Sequence, residues 1–160
     1  MQKVTILCTG KLKEKFYLDA AAEYAKRLSR FCKLEIIELP EERLPEDPSP
    51  AQIDAALSKE ADAVRAKLPN GCLLIAMCVE GKERSSEELA RYLADSAAQG
   101  ASHIVFLIGS SFGMHESLKR QAALRLSMSP MTFPHHLLRV MLLEQIYRAY
   151  QINAGSRYHK

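Results

Sequence analysis

Residues 103–160 read HIVFLIGSSFGMHESLKRQAALRLSMSPMTFPHHLLRVMLLEQIYRAYQINAGSRYHK, and this is the most informative stretch of the chain. A β-branched apolar run, His103 to Ile108, ends in a glycine-rich turn. A second irregular segment, a long helical pattern and a charged end follow it. A continuous apolar run of this kind is typical of a strand buried on both faces. Two loops at the ends of buried strands, followed by a titratable tail, indicate a ligand-binding site with reactive side chains next to it.

The preceding sequence alternates strand and helix patterns in the same way. Strands are predicted at residues 4–8, 34–39, 72–78, 103–108 and 124–128. Helices are predicted at residues 14–31, 51–68, 85–100, 116–123 and about 136–153. The only long irregular segment is the proline-rich, acidic loop 40–50, and either side of it would be small for a domain. The alternation predicts one α/β domain over residues 1–160, with a mostly parallel sheet covered by helices on both faces.

Composition and charge limit the kinds of partner and the cellular compartment that we expect for this chain. The chain has 160 residues and a net charge of +3, so any affinity for nucleic acid must come from local patches. Four cysteines without C-x-x-C spacing predict reduced thiols of a cytosolic protein. The adjacent His135 and His136 lack the i, i+4 spacing of helical zinc ligands, and we expect no metal. The run Val4–Cys8 is too short for a signal peptide or a membrane span, so we expect a soluble cytoplasmic protein without membrane contact.

Three predicted loops lie where parallel strands end, which is where open α/β sheets bind ligands. They cover residues 79–84, 109–113 and 129–135. Gly109 and Gly113 would let a ligand approach the backbone, and a side chain at Gly109 would enter the ligand's space. A tight turn without a ligand explains the glycines equally well, since neither a Walker loop nor G-x-G-x-x-G is present. Met131 and Phe133 would either plug the core or form a wall for a flat heterocycle.

The last helical pattern is apolar on two faces, with Glu144, Arg148 and Gln151 as a narrow polar stripe. A helix of this kind must be buried on more than one side, and we expect the second side to contact another subunit in a homodimer. The charged end, Arg157–Lys160, is either a frayed terminus or a functional segment. Tyr158 and His159 offer a hydrogen-bond donor and a base within it.

Four segments together resemble the ribosomal RNA large subunit methyltransferase H family, a minimal member of the SPOUT class. They are Thr9–Lys15 (TGKLKEK), Ser127–His135 with its MTFPH core, Arg139–Ala149, and the terminal Tyr158–Lys160. The resemblance extends over essentially the whole chain. It implies a deep trefoil knot at the carboxyl end, a homodimer, and S-adenosyl-L-methionine held in the knot.

The resemblance also implies an activity and a set of residues. The activity is methylation of N3 of a pseudouridine (position 1915) in 23S rRNA on the assembled ribosome. The implied cofactor contacts are Met77, Gly109, Met128, Ser129, Pro130, Met131, Thr132 and Phe133. We assign catalytic roles to His159 as base, Tyr158 as a contact to the target ring, and Arg148 as a cation for phosphate or developing negative charge. The alternative is a non-catalytic RNA-binding or ribosome-assembly factor that retains the fold.

One position departs from the family pattern. The family usually has two consecutive glycines after the fourth strand, and here Ser110 follows Gly109. If position 110 requires a positive φ, serine would adopt it at a cost of about 1 kcal/mol or more. We expect weaker cofactor affinity in that case, without loss of function.

Overall fold

A computed structural model describes all 160 residues. The five strands are β1 (Lys3–Thr9), β2 (Lys33–Leu39), β3 (Leu73–Glu83), β4 (His103–Ile108) and β5 (Leu124–Ser127). The five helices are α1 (Lys15–Leu28), α2 (Pro50–Lys67), α3 (Ser86–Ala98), α4 (Glu116–Gln121) and α5 (His135–Asn153). All ten predicted elements are present, and β4 has the predicted bounds.

The five strands form one sheet in the order β2-β1-β4-β3-β5, and every pair is parallel. The predicted α/β class is therefore confirmed. In a parallel sheet all strands end at the same edge, so the segments that follow β1, β3, β4 and β5 leave the sheet side by side. This carboxyl edge is where the sequence placed its candidate loops.

The apolar strands are buried on both faces because helices cover both. Along β4, Ile104, Phe106 and Ile108 pack with side chains of α1, α3 and α5. Val105 and Leu107, which alternate with them, pack with side chains of α2 and α4. Alternating residues point to opposite faces of a strand, and this explains why the run has no polar position.

The third strand is longer than predicted. Residues 79–83 continue β3, although the sequence analysis assigned residues 79–84 to a loop. The prediction was wrong because Glu80, Lys82 and Glu83 resemble loop composition, while the segment in fact pairs with β5 after a register shift. Gly81 allows this pairing, since a Cβ there would lie 2.8 Å from the backbone carbon of Arg125.

Helix α5 is buried within its own chain. Leu142, Leu143, Ile146 and Ala149 are fully buried, and they come from both of the predicted apolar faces. The helix lies beside α1 and α3, and Asn153 donates to the carbonyl of Ala90 in α3 at 3.0 Å. The two apolar faces thus do not by themselves require a second subunit.

No helix of the chain has the length and apolar content needed to cross a bilayer.

Candidate active site

A cavity of about 630 Å³ opens at the carboxyl edge of the sheet. Its walls come from the middle of β3 (residues 77–80), from residues 108–114 after β4, and from the segment that joins β5 to α5. We call it the carboxyl-edge cavity. Its volume lies within the range of small-molecule sites, about 300–1,000 Å³.

Most of the predicted cofactor residues surround this one cavity. Seven of the eight line it, namely Met77, Gly109, Met128, Ser129, Met131, Thr132 and Phe133. Pro130 does not line it. The structure therefore brings together residues that lie 56 positions apart in sequence, although their contact with a cofactor remains a prediction.

The walls expose apolar side chains to an unusual degree. Six large apolar residues of the chain are exposed, and three of them line the cavity: Val79 at 47 %, Phe112 at 49 % and Met131 at 72 %. Exposed apolar groups gathered around a concavity are typical of a ligand site. The sequence analysis did not single out Val79 or Phe112. The position of Phe112 inside the candidate loop 109–113 was the available signal.

The loop 109–113 is closed by its own backbone. Ser110 N–H donates to the carbonyl of Gly113 at 2.9 Å, and Gly113 N–H donates back to Ser110 at 2.8 Å. A Cβ at Gly109 would lie 2.3 Å from the Gly113 carbonyl oxygen. The expectation that a side chain at Gly109 would enter the ligand's space therefore needs correction, because it would first collide with the loop itself.

Ser110 is not strained, and it makes a buried contact. Only glycines have positive φ in this chain, so the expected backbone cost at this position does not arise. The Ser110 hydroxyl donates to Glu60 Oε1 of α2 at 2.8 Å. Glu60 is only 6 % exposed and also accepts from the N–H of Glu42 at 2.8 Å. Burial raises the pKa of the Glu60 carboxyl above its ordinary value.

The segment between β5 and α5 is irregular, as its two prolines predicted. The Ser127 hydroxyl donates to the carbonyl of Ser129 at 3.0 Å, and the Ser129 hydroxyl accepts from the N–H of Met131 at 3.0 Å. These short-range bonds satisfy backbone groups that no helix or strand satisfies here. They hold the Met131 end of the segment against the cavity.

The cavity also contains charged and titratable groups. Glu80 and Lys119 line it as an ion pair, and the hydrogen bond from Lys119 holds the pKa of Glu80 below its ordinary value. Burial lowers the pKa of His135, which favours the neutral ring. Glu80 and Lys119 lie 39 residues apart, and nothing in the sequence pattern indicates that they meet.

The four cysteines are free thiols. Burial raises the pKa of Cys8 to about 12 and that of Cys32 to about 11, so neither is a nucleophile near neutral pH. No three His, Cys, Asp or Glu side chains are grouped so that they could hold a metal ion.

The three predicted catalytic residues form a second cluster, at the C-terminal tail (Arg157–Lys160). Arg148 Nη1 lies 3.0 Å from His159 Nδ1, and His159 Nε2 lies 2.7 Å from Glu87 Oε1. Arg148 is also bound to Glu144 at 2.6 Å. The Tyr158 ring centroid lies 4.8 Å from the Arg148 guanidinium carbon, and burial raises the pKa of Tyr158.

This tail cluster does not meet the carboxyl-edge cavity of its own chain. No residue from 148 to 160 lines the cavity. An arginine only donates hydrogen bonds, so Nδ1 of His159 accepts, and Nε2 then carries the proton toward Glu87. Both ring nitrogens of His159 are occupied in this arrangement. The catalytic roles of His159, Tyr158 and Arg148 remain predictions.

Fold and site together define an α/β protein with a cavity of small-ligand size at the carboxyl edge of a parallel sheet. A family model described as "Predicted SPOUT methyltransferase" matches residues 2–159. The chain belongs to this family of SPOUT methyltransferases, and the resemblance drawn from its motifs is confirmed.

Relatives over the full length agree with this placement. The chain is 46 % identical over 158 residues to a protein of Streptococcus uberis and to one of Bifidobacterium adolescentis, covering 99 % of each chain. Both are named "Ribosomal RNA large subunit methyltransferase H". Among solved structures, a probable methylase family protein from Haemophilus influenzae has a TM-score of 0.51 at 12 % identity. That alignment covers 99 % of this chain and 70 % of the other, and it supports the fold alone.

Proposed function

We propose that this protein transfers a methyl group from S-adenosyl-L-methionine to N3 of the pseudouridine at position 1915 of 23S rRNA, on the assembled ribosome in the cytoplasm. One observation carries the proposal. In a chain of the SPOUT family, seven of the eight predicted cofactor residues surround a single cavity at the carboxyl edge. The relatives named as large-subunit rRNA methyltransferases supply the substrate class.

The cavity fits such a methyl donor. Its exposed apolar walls at Phe112 and Met131 suit a flat adenine and an aliphatic chain, and the backbone of residues 129–133 offers hydrogen-bonding groups to the ring edge. When bound, S-adenosyl-L-methionine supplies a methyl group on a sulfonium sulfur that leaves as a neutral thioether. Glu80 and Lys119 line the cavity as an ion pair, so together they add no net charge to the site.

The target nitrogen bears a proton that must leave when the methyl group is added. His159 is the candidate base, because a neutral imidazole has one ring nitrogen that can accept a proton. Its Nε2 carries a proton toward Glu87 and its Nδ1 accepts from Arg148, so His159 must give up the contact with Arg148 before Nδ1 can accept a proton. Arg148 is then positioned to offset negative charge on the deprotonated ring.

We also propose that the active protein is a homodimer in which the tail of one chain serves the cavity of its partner. The tail stays away from its own cavity, which supports a shared site. Leu137, Val140 and Met141 form a half-exposed apolar stripe on α5, and Phe16 of α1 is 66 % exposed. These surfaces are available to a second subunit. The trefoil knot implied by the family belongs to the same proposal.

The direct test is transfer of radiolabelled methyl from S-adenosyl-L-methionine to ribosomes from a strain lacking this protein. Protein-free rRNA is the control, and we expect much faster labelling of ribosomes, because a net charge of +3 gives little sequence-independent attraction. Ribosome binding without any labelling would instead support the non-catalytic assembly factor.

The shared site has its own test. Deletion of residues 157–160 should leave cofactor binding nearly intact and abolish transfer, since the tail does not line the cavity. Met131→Arg should block the cavity without unfolding the chain, because Met131 is exposed. Mixing the two inactive variants should restore activity in heterodimers that keep one complete site. No recovery, with subunit exchange confirmed by mass spectrometry, would show that each tail serves its own chain.

A further inference from the structure

We infer that the loop between β1 and α1, residues 10–14, is a contact surface for an RNA backbone, with Lys11 and Lys13 binding phosphate groups beside the carboxyl-edge cavity. This inference rests on the proposed function, because the ligand is the RNA that carries the target base. It adds to that function the part of the protein that holds the substrate. The β1–α1 loop is not among the residues assigned to cofactor binding or catalysis.

The β1–α1 loop is held by an ion pair between the buried Arg139 and the partly exposed Glu38. Arg139 of α5 is only 2 % exposed, and it donates to Glu38 Oε2 at 2.6 Å and to the carbonyl of Gly10 at 3.1 Å. The same Glu38 oxygen accepts from the N–H of Leu12 at 2.9 Å. Hydrogen bonds to Arg139 of α5 and to Glu38 of β2 thus hold the backbone at Gly10 and at Leu12. The backbone of this loop is therefore anchored at two points to other elements of the fold.

The fixed backbone determines where the lysines point. Leu12 is 4 % exposed and packs in the core, whereas Lys11 and Lys13 on either side of it are exposed. Neither ammonium has a carboxylate partner within 4.0 Å. The next lysine differs, since Lys15 is bound to Asp19 at 2.6 Å. Lys11 and Lys13 are therefore two unpaired cations presented from an anchored backbone.

The β1–α1 loop borders the carboxyl-edge cavity. β1 pairs with β4 in parallel, so the loop leaves the sheet beside residues 109–113. A Cβ on Gly10 would lie 3.3 Å from His135 Nε2, and His135 lines the cavity. When a nucleotide places its base at the methyl donor, the phosphates next to that nucleotide lie close to the rim of the cavity that the β1–α1 loop forms.

Two cations on an anchored loop suit phosphate better than a base edge. A lysine ammonium is a compact point charge, and anchoring the loop lowers the entropy lost when a phosphate is bound. Such contacts give affinity without sequence information, and they release counterions from the RNA. Binding through them must therefore weaken as salt rises. An acidic protein surface of the ribosome would be a different partner, and binding to a protein-free rRNA stem-loop separates the two, because only the RNA contact is kept there.

The test uses the double variant Lys11→Ala/Lys13→Ala. The matched control is Lys33→Ala/Lys67→Ala, which removes the same charge from exposed lysines near the opposite edge of the sheet. Methylation rates are measured against ribosome concentration at several salt concentrations. We expect the KM for ribosomes to rise about tenfold in the loop variant, with kcat and cofactor affinity unchanged. The slope of log KM against log salt should fall by about 1 to 2.

Three outcomes would overturn the inference. An unchanged KM, or an equal rise in the control variant, would show that the β1–α1 loop makes no special contact. A higher KM with an unchanged salt slope would show that the two lysines do not act through their charge. If the wild-type chain labels no ribosomes, the proposed function fails. This inference is then tested separately, by measuring how tightly the loop variant and the control variant bind an rRNA stem-loop at several salt concentrations. Equal affinities of the loop variant and the control variant for this RNA would refute the inference.

Discussion

The hydrogen bond between Ser110 and Glu60 gives a quantitative prediction, because it joins the loop 109–113 to α2 at a buried position. Ser110→Ala removes the donor and leaves Glu60 Oε1 without its partner. Water cannot readily replace the lost bond, since Glu60 is 6 % exposed and Ser110 is also 6 % exposed. A hydrogen bond to a charged group contributes about 1.5–3 kcal/mol, so we expect a loss of about 2 kcal/mol of unfolding free energy.

Equilibrium urea unfolding at neutral pH measures this loss. With a slope of about 2 kcal/mol/M, the midpoint should shift down by about 1 M. Ser111→Ala is the matched control, since Ser111 lies in the same loop and donates to Glu41 at 2.6 Å at an exposed position. Exposed substitutions of this kind change stability by about 0.5 kcal/mol or less.

The reasoning fails if the midpoints of Ser110→Ala and wild type coincide at equal slope. It also fails if Ser111→Ala is as destabilising as Ser110→Ala, since burial would then not be the cause. The variant Ser110→Gly, which restores the usual family residue, should be no more stable than Ser110→Ala. It loses the same bond and adds backbone freedom to the unfolded chain.

Four further variants test other positions in the structure. Burial raises the folded-state pKa of Glu60 above 4.5, so its contribution to stability is full below pH 4.5 and is lost as pH rises through the raised pKa. Glu60→Gln should remove that loss, and a urea series across this pH window should show a flatter profile than wild type. Gly10→Ala should cost about 2–3 kcal/mol, because Gly10 has φ of +122° and a Cβ there meets His135. Gly71→Ala, at φ of +72° in open space, should cost only about 1 kcal/mol, and equal melting temperatures would contradict the difference. Ile146→Ala should cost about 2–5 kcal/mol by calorimetry, since Ile146 is fully buried, and a loss below 1 kcal/mol would mean that the site collapses around the smaller side chain.

Much of the fold follows from local patterns in the sequence. The run 103–108 predicted β4 correctly because its five consecutive apolar residues, Ile104 to Ile108, can only be buried by helices on both faces. Helix α3 was predicted because Ser85 and Glu88 form a capping box at its start, with bonds of 2.9 and 3.1 Å, and that motif depends on residues only three positions apart. Strand extension into residues 79–83 was not predictable in this way, since it depends on pairing with β5.

The candidate site depended more on tertiary structure. Loops at the carboxyl ends of strands could be chosen from sequence because parallel strands share an edge, and this placed Gly109 and Met131 correctly at one cavity. The ion pair of Glu80 with Lys119 could not be predicted, and neither could the separation of His159 from the cavity of its own chain. Both depend on strand order and on how the chain crosses the sheet. Periodicity and caps act over a few residues and are encoded locally, whereas contacts between distant segments arise only when the whole sheet assembles.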